Sequence, residues 1–375
     1  MSLGVRLVPP LSSYTNTTQR AWLHQLPQKF TAASQSGLPG IEIFFEDLAY
    51  LASSLPGGFT PTNQLLAAHQ IRRLCDSLHL EIVGLGPFKD CEGLLDPTVR
   101  AEKLEELKLW FEMARILGTD IIQIPCTFMT EGITGDRDII ARDLRQIADL
   151  GAMENPPFRF AYENLCFGTY NDTWEKAWDI VERVDRPNFG MCLDTFNIAG
   201  RAWADPASPT GCVENADEVF KASMRNMMKT IDVRKVFYVQ VVDAERLREP
   251  LDRTHAFHVD GQKPRMSWSR NSRLFMCEED RGGYLPVIDV LKAICDEKEG
   301  LGYKGWISME LFNRSLTKEG AAVPVEHADR AMESWRKLVK VMGWEGKADA
   351  VATLAKSTSK IVAPSVEEVE ITARL

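Results

Sequence analysis

The sequence predicts an α/β chain folded as one (β/α)8 barrel, and three observations carry that prediction. Short apolar, β-branched runs alternate with amphipathic stretches along most of its 375 residues, the pattern of a parallel sheet with crossover helices. No glycine-rich phosphate loop follows an early strand, as a doubly wound nucleotide-binding sheet would require. Oxygen-bearing side chains recur at strand C-termini, which in a barrel all converge on one mouth. A barrel needs about 250 residues, so one barrel with extensions fits the length.

The strands are read in order from their apolar runs. They are Gly40-Ile-Glu-Ile-Phe-Phe45, Glu81-Ile-Val-Gly-Leu85, Asp120-Ile-Ile-Gln-Ile-Pro125, Arg159-Phe-Ala-Tyr-Glu163, Phe189 to Asp194, Val236 to Val242 and Gly305 to Leu311. Between them, apolar residues recur at three- and four-residue spacing. Leu104, Leu107, Leu109, Met113 and Ile116 mark one helix within Thr98 to Leu117. Asp136 to Leu150, Thr173 to Val184, Asn215 to Met228 and Tyr284 to Cys295 read the same way. The barrel is assigned to residues 20–345. Residues 1–19 read as an irregular N-terminus, and 346–375, rich in Ala, Ser, Thr and Glu, as a loop or disordered tail.

Net charge is −9 and the pI is near 5.4, which argues against a nucleic-acid surface. Eight cysteines contain no CxxC pair, so they read as buried free thiols rather than disulfides or a zinc site. No apolar run approaches the ~18 residues of a membrane span, and no basic-then-apolar leader is present. A cytoplasmic location is expected. Ala373-Arg374-Leu375 loosely resembles a peroxisomal tripeptide and keeps that alternative open.

Four strand ends supply candidate metal ligands: Glu163, Asp194, Gln240 and Glu310. A carboxylate at the end of an apolar strand is costly to desolvate unless it is paired or bound to a cation. Three of them with an amide, converging on one mouth, suit a hard divalent ion, Mg2+ or Mn2+, with Co2+ as an alternative. The competing reading is that each pairs separately with Arg or Lys, or caps the next helix. The spacings are 31, 46 and 70 residues in turn, and the last predicts an inserted segment between strands seven and eight. That segment carries Arg265-Met-Ser-Trp-Ser-Arg270-Asn-Ser-Arg273. Its arginines suit a carboxylate-bearing substrate, and Trp268 and Phe275 suggest a packed lid.

Tyr162-Glu-Asn-Leu-Cys166, Asp185-Arg-Pro-Asn-Phe-Gly190, Cys192-Leu-Asp-Thr-Phe-Asn197, Phe237-Tyr-Val-Gln-Val-Val-Asp-Ala-Glu-Arg246, Arg265 to Arg270 and Glu310-Leu-Phe-Asn313 resemble the fungal 3-dehydroshikimate dehydratases. These are quinate-catabolism enzymes of the xylose-isomerase-like barrel superfamily. The resemblance implies one divalent ion on Glu163, Asp194, Gln240 and Glu310, and conversion of 3-dehydroshikimate to protocatechuate and water. It further implies Arg265 or Arg270 on the ring carboxylate, with Asn197 and Ser269 at the same mouth. His24, Glu245 and a metal-bound water remain alternatives for proton transfer, whereas His69 and His79 read as structural.

The chain departs from the family pattern at Leu23-His24-Gln25, where Gly-His-Ser is usual. It departs again at Gly86, where Gln is usual, and at Lys89-Asp90-Cys91, where a His-containing stretch often follows. Residues 5–19 separate Met1-Ser-Leu-Gly4 from Arg20-Ala-Trp-Leu-His24, an in-frame length that reads as an intron carried through into the coding sequence. On that view strand one is short or malformed, and a continuous, abundant transcript across the junction would sink it. Two other functions remain open: a sugar or inositol isomerase, epimerase or dehydratase of the same superfamily, and a catalytically impaired barrel with a binding role. The expected partner is a small molecule, with neither nucleic acid nor membrane, in a chain that could self-associate.

Overall fold

In a computed structural model, residues 12–15 and 23–345 are described. Eight parallel strands close a barrel: β1 (Ser12–Thr15), β2 (Gly40–Phe44), β3 (Glu81–Gly86), β4 (Ile121–Pro125), β5 (Arg159–Glu163), β6 (Phe189–Asp194), β7 (Val236–Gln240) and β10 (Ile307–Glu310). Each neighbours the next in sequence around the ring, and β10 closes it against β1. Two short strands, β8 (Asp243–Ala244) and β9 (Arg273–Leu274), pair antiparallel outside the barrel.

The predicted strands and helices are all present, most within two residues of their expected ends. Strands β4, β6 and β7 are buried along their whole length, because helices cover the outer face while side chains fill the inside. The helix expected from Tyr284 starts at Val287, since Pro286 supplies its N-cap and fixes the entry. The strand expected to reach Val242 ends at Gln240, where the chain leaves to form β8. β1 is four residues long and comes from within the segment read as irregular; the rest of 1–22, and the tail from 346 with its C-terminal tripeptide, lie outside the described residues.

The long connection between β7 and β10 is the expected insertion. Its helix Pro264–Ser272 packs down through Trp268, and both Trp268 and Phe275 are fully buried. The segment is therefore a packed cap rather than a solvated loop. All eight cysteines are free and seven are buried. Among the described residues, no helix is long and apolar enough to cross a membrane.

Registry sets the height of the functional side chains. Pro125 lies opposite Glu163, Asp194 opposite Gln240, and Thr15 opposite Glu310. The ends of β5, β6 and β10 bring Glu163, Asp194 and Glu310 together at the mouth, with Gln240 opposite Ser308 just below Glu310, in line with the rule that a barrel's chemistry sits at its strand C-termini.

Candidate metal centre

Glu163, Asp194 and Glu310 each offer an oxygen, and the three oxygens lie within 4.8 Å of one another. All three residues are buried. Burial, followed by the charges of Glu310 and Asp194, pushes the Glu163 carboxyl well above the usual carboxylate range. Burial likewise raises Glu310, with Asp194 and Glu42 adding to the rise and Arg273 opposing it. The site holds more buried negative charge than it can ionise alone, which is the condition a divalent cation relieves. Hard, all-oxygen donors fit Mg2+ or Mn2+.

Each carboxylate is oriented by a donor. Asn197 Nδ2 donates to Glu163 Oε1 at 2.8 Å, and Gln123 Nε2 donates to Glu163 Oε2. Asp194 is also the N-cap of helix Thr195–Ala202, its Oδ1 accepting from the Asn197 backbone N–H at 2.9 Å. One of the competing readings, a helix cap, therefore holds for Asp194 without removing it from the cluster. Gln240 lies one strand along and 2% exposed. Its Nε2 donates to Glu42 Oε2 at 3.2 Å, while its Oε1 accepts only a weak bond from Cys192 Sγ at 3.4 Å. Because an acidic acceptor takes the NH2 side, the amide oxygen is the end left for a cation.

The other predicted residues fall in different places. Asn197 and Ser269 are buried at the mouth, Ser269 Oγ accepting from Arg273 Nε at 3.1 Å. Arg265 instead turns to the end of helix Thr195–Ala202, donating to Gly200 O at 2.8 Å and Ala204 O at 2.7 Å. Arg270 is exposed and donates to Gln262 Oε1 at 2.7 Å. Glu245 lies on the rim, its carboxylate accepting from Arg314 at 2.5 Å. His24 is buried with Nε2 unpartnered; burial, then the nearby Lys29 charge, lowers its pKa. Among the described residues, neither Glu245 nor His24 hydrogen-bonds the three carboxylates.

Sequence reasoning missed the arginine that does reach them. Arg273 is 2% exposed, and its Nη1 donates to Asp194 Oδ2 at 2.8 Å and Glu310 Oε2 at 2.6 Å. Burial works against its charge, yet Asp194, Glu310 and Glu163 overcome that and raise the guanidinium above its ordinary value. Little in the sequence signalled it: Arg273 follows helix Pro264–Ser272 as its extended C-cap, where β9 begins. Arg265 has the same four-residue spacing from Ser269, so spacing alone does not separate the two arginines. Glu42 and Gln123, inward-facing polar residues within apolar strands, were also missed as site residues.

Residues 30–338 match the model of the xylose isomerase-like TIM barrel family. The chain is 49% identical over 324 residues, 84% of its length and 89% of the relative's, to a 3-dehydroshikimate dehydratase of Neurospora crassa. It is 31% identical over 291 residues to a 3-dehydroshikimate dehydratase of Pseudomonas aeruginosa, covering 77% of this chain and 36% of that one. Among solved structures, an IolI protein with a bound zinc atom superposes with a TM-score of 0.61 at 18% identity, over 88% of this chain and 98% of that one, a likeness of fold.

Proposed function

The chain belongs to the xylose isomerase-like TIM barrel family, and from that premise we propose that it is a hydro-lyase that dehydrates 3-dehydroshikimate to protocatechuate, with one divalent ion, Mg2+ or Mn2+, held by Glu163, Asp194, Gln240 and Glu310. The observation that carries the metal half is the convergence of three buried carboxylates at the mouth, their oxygens within 4.8 Å of one another. The substrate half rests on the 49% identity to the Neurospora dehydratase along most of both chains. When bound, the ion supplies Lewis acidity that polarises the substrate ketone and acidifies the neighbouring C–H.

The chain's own groups do the rest. Asn197 and Gln123 fix the two oxygens of Glu163, and the Asn197 backbone fixes Asp194, so the ligands need little reorganisation. On this reading Asn197 and Ser269 face the substrate, while Arg265 and Arg270, tied to Gly200, Ala204 and Gln262, hold the cap in place rather than reach the ring carboxylate. We assign proton abstraction to His24 rather than Glu245. His24 is held neutral by burial and has a free Nε2, whereas Glu245 is tied to Arg314. The C–H proton leaves to the base, the ring hydroxyl leaves with a proton as water, and the remaining enone tautomerises to the catechol. No oxidant is needed.

Purified protein incubated with 3-dehydroshikimate and Mn2+ or Mg2+ should accumulate protocatechuate, followed by its ultraviolet absorbance. The Glu163→Gln variant and a chelated sample should not. Bound metal with no product would favour the impaired barrel with a binding role instead.

A further inference from the structure

The acidic mouth already contains a cation that belongs to the chain. Arg273 Nη1 bridges Asp194 Oδ2 and Glu310 Oε2 at 2.8 and 2.6 Å. Its guanidinium lies 4.3 Å from the ring centre of Phe196 and 5.0 Å from that of Phe312, so two aromatic faces hold it in the gap. The backbone is pinned too: its N–H donates to Phe312 O at 3.1 Å, and its carbonyl accepts from Asn313 Nδ2 at 2.7 Å. This is a built position rather than a chance surface pairing.

The charges do not balance with Arg273 alone. Fully ionised, Glu163, Asp194 and Glu310 would carry −3, with Glu42 behind Gln240 adding to the field, against its +1, so negative charge is left over for a further cation. The carboxylate oxygens are also nearly all engaged: both of Glu163 and both of Asp194 accept hydrogen bonds, as does Oε2 of Glu310. A divalent ion held by the same Asp194 and Glu310 oxygens would compete for the gap that Nη1 occupies.

On the premise that the mouth binds a divalent metal, we infer that Arg273 is an internal counter-cation. It holds Asp194 and Glu310 together in the metal-free protein and gives up that bridge when the ion enters. Metal loading is then a cation exchange, and its product is a freed guanidinium inside the mouth. Arg273 acts against metal affinity and in favour of apo stability.

The test is Mn2+ titration by calorimetry, with thermal unfolding of the metal-free protein, on the full chain and on Arg273→Met. Arg234→Met, an exposed charge change, serves as control. Arg273→Met should melt lower without metal and bind Mn2+ at least about tenfold more tightly. Should it fail to fold, Arg273→Lys keeps the charge without the planar bridge, and it should also bind Mn2+ more tightly than wild type. In the wild-type protein, the Arg273 side-chain N–H resonances, assigned by their loss in Arg273→Lys, should shift when Mg2+ is added. Unchanged or weaker Mn2+ binding in a folded variant, or a resonance indifferent to Mg2+, overturns the exchange while leaving the metal site standing. Absence of divalent binding in wild type and variants alike overturns the metal site and the exchange together.

Discussion

A side chain at Gly86 would collide with Gln123: a Cβ built there lies 2.8 Å from Gln123 Cβ and 2.8 Å from its Oε1. Gln123 occupies that space in order to reach across to Glu163. The glycine thus makes room for the Gln123 amide over the mouth. Gly86→Ala is expected to destabilise the fold by about 1–3 kcal/mol through overpacking. It should also weaken Mn2+ binding, because Glu163 loses its Nε2 donor when Gln123 moves. Urea unfolding and metal titration check both, and a variant that matches wild type in each would show that Gln123 does not depend on the space.

Glu42 and Gln240 form the layer beneath. Glu42 Oε2 takes the Gln240 NH2, and its Oε1 accepts from Ser308 Oγ. Glu42→Leu removes the acceptor that sets the amide's direction, so metal affinity should fall by roughly 10–100-fold, as for other groups that orient a ligand. Glu42→Gln keeps an acceptor oxygen and should lose much less. Equal losses in the two variants, measured by calorimetry, would mean that the carboxylate's charge rather than its orienting bond is what matters.

The pattern of these residues explains what the sequence made legible. Strands such as Phe189–Asp194 announce themselves because both faces are buried, and their terminal acids stand out against apolar neighbours. Glu42 and Gln123 sit inside their strands rather than at the ends, so they read as ordinary interruptions, although each points into the barrel. Arg273 required knowing the tertiary fold: its partners Asp194 and Glu310 lie 79 and 37 residues away and meet it only through barrel closure. Composition pointed to an arginine cap, but Arg265 and Arg273 are spaced alike about Ser269, so only the closed barrel selects which of them faces inward.

Glu92 should make stability depend on pH. It is buried, and desolvation raises its carboxyl to about 7, against the opposing bonds from Tyr162 Oη at 2.6 Å and the Thr127 backbone N–H at 2.8 Å. In the unfolded chain it ionises near 4.5. Between those values the native state binds the extra proton, so this group's contribution falls as pH rises from about 4.5 to about 7 and then levels off. The bound on that loss is about 3 kcal/mol, from roughly 1.4 kcal/mol per unit. Glu92→Gln should flatten the slope in that window. An identical slope in urea titrations of wild type and variant would place the dependence elsewhere.

Lys29 links stability to the assigned base. Its Nζ donates to both oxygens of Asp47 at 3.1 Å, with the side chains 0% and 1% exposed. Lys29→Met leaves a buried carboxylate uncompensated and should cost about 3–5 kcal/mol, most of it recovered in the Lys29→Met, Asp47→Leu double variant. The same ammonium lowers the His24 pKa, second only to burial. A depressed His titrates on the acid side, so the acid limb of kcat/KM should lie below the ordinary histidine value in wild type and move to higher pH once Lys29 is neutral. The double variant, which restores the fold without restoring the charge, separates the two effects. If its acid limb stays at the wild-type pH while activity persists, His24 is not the base.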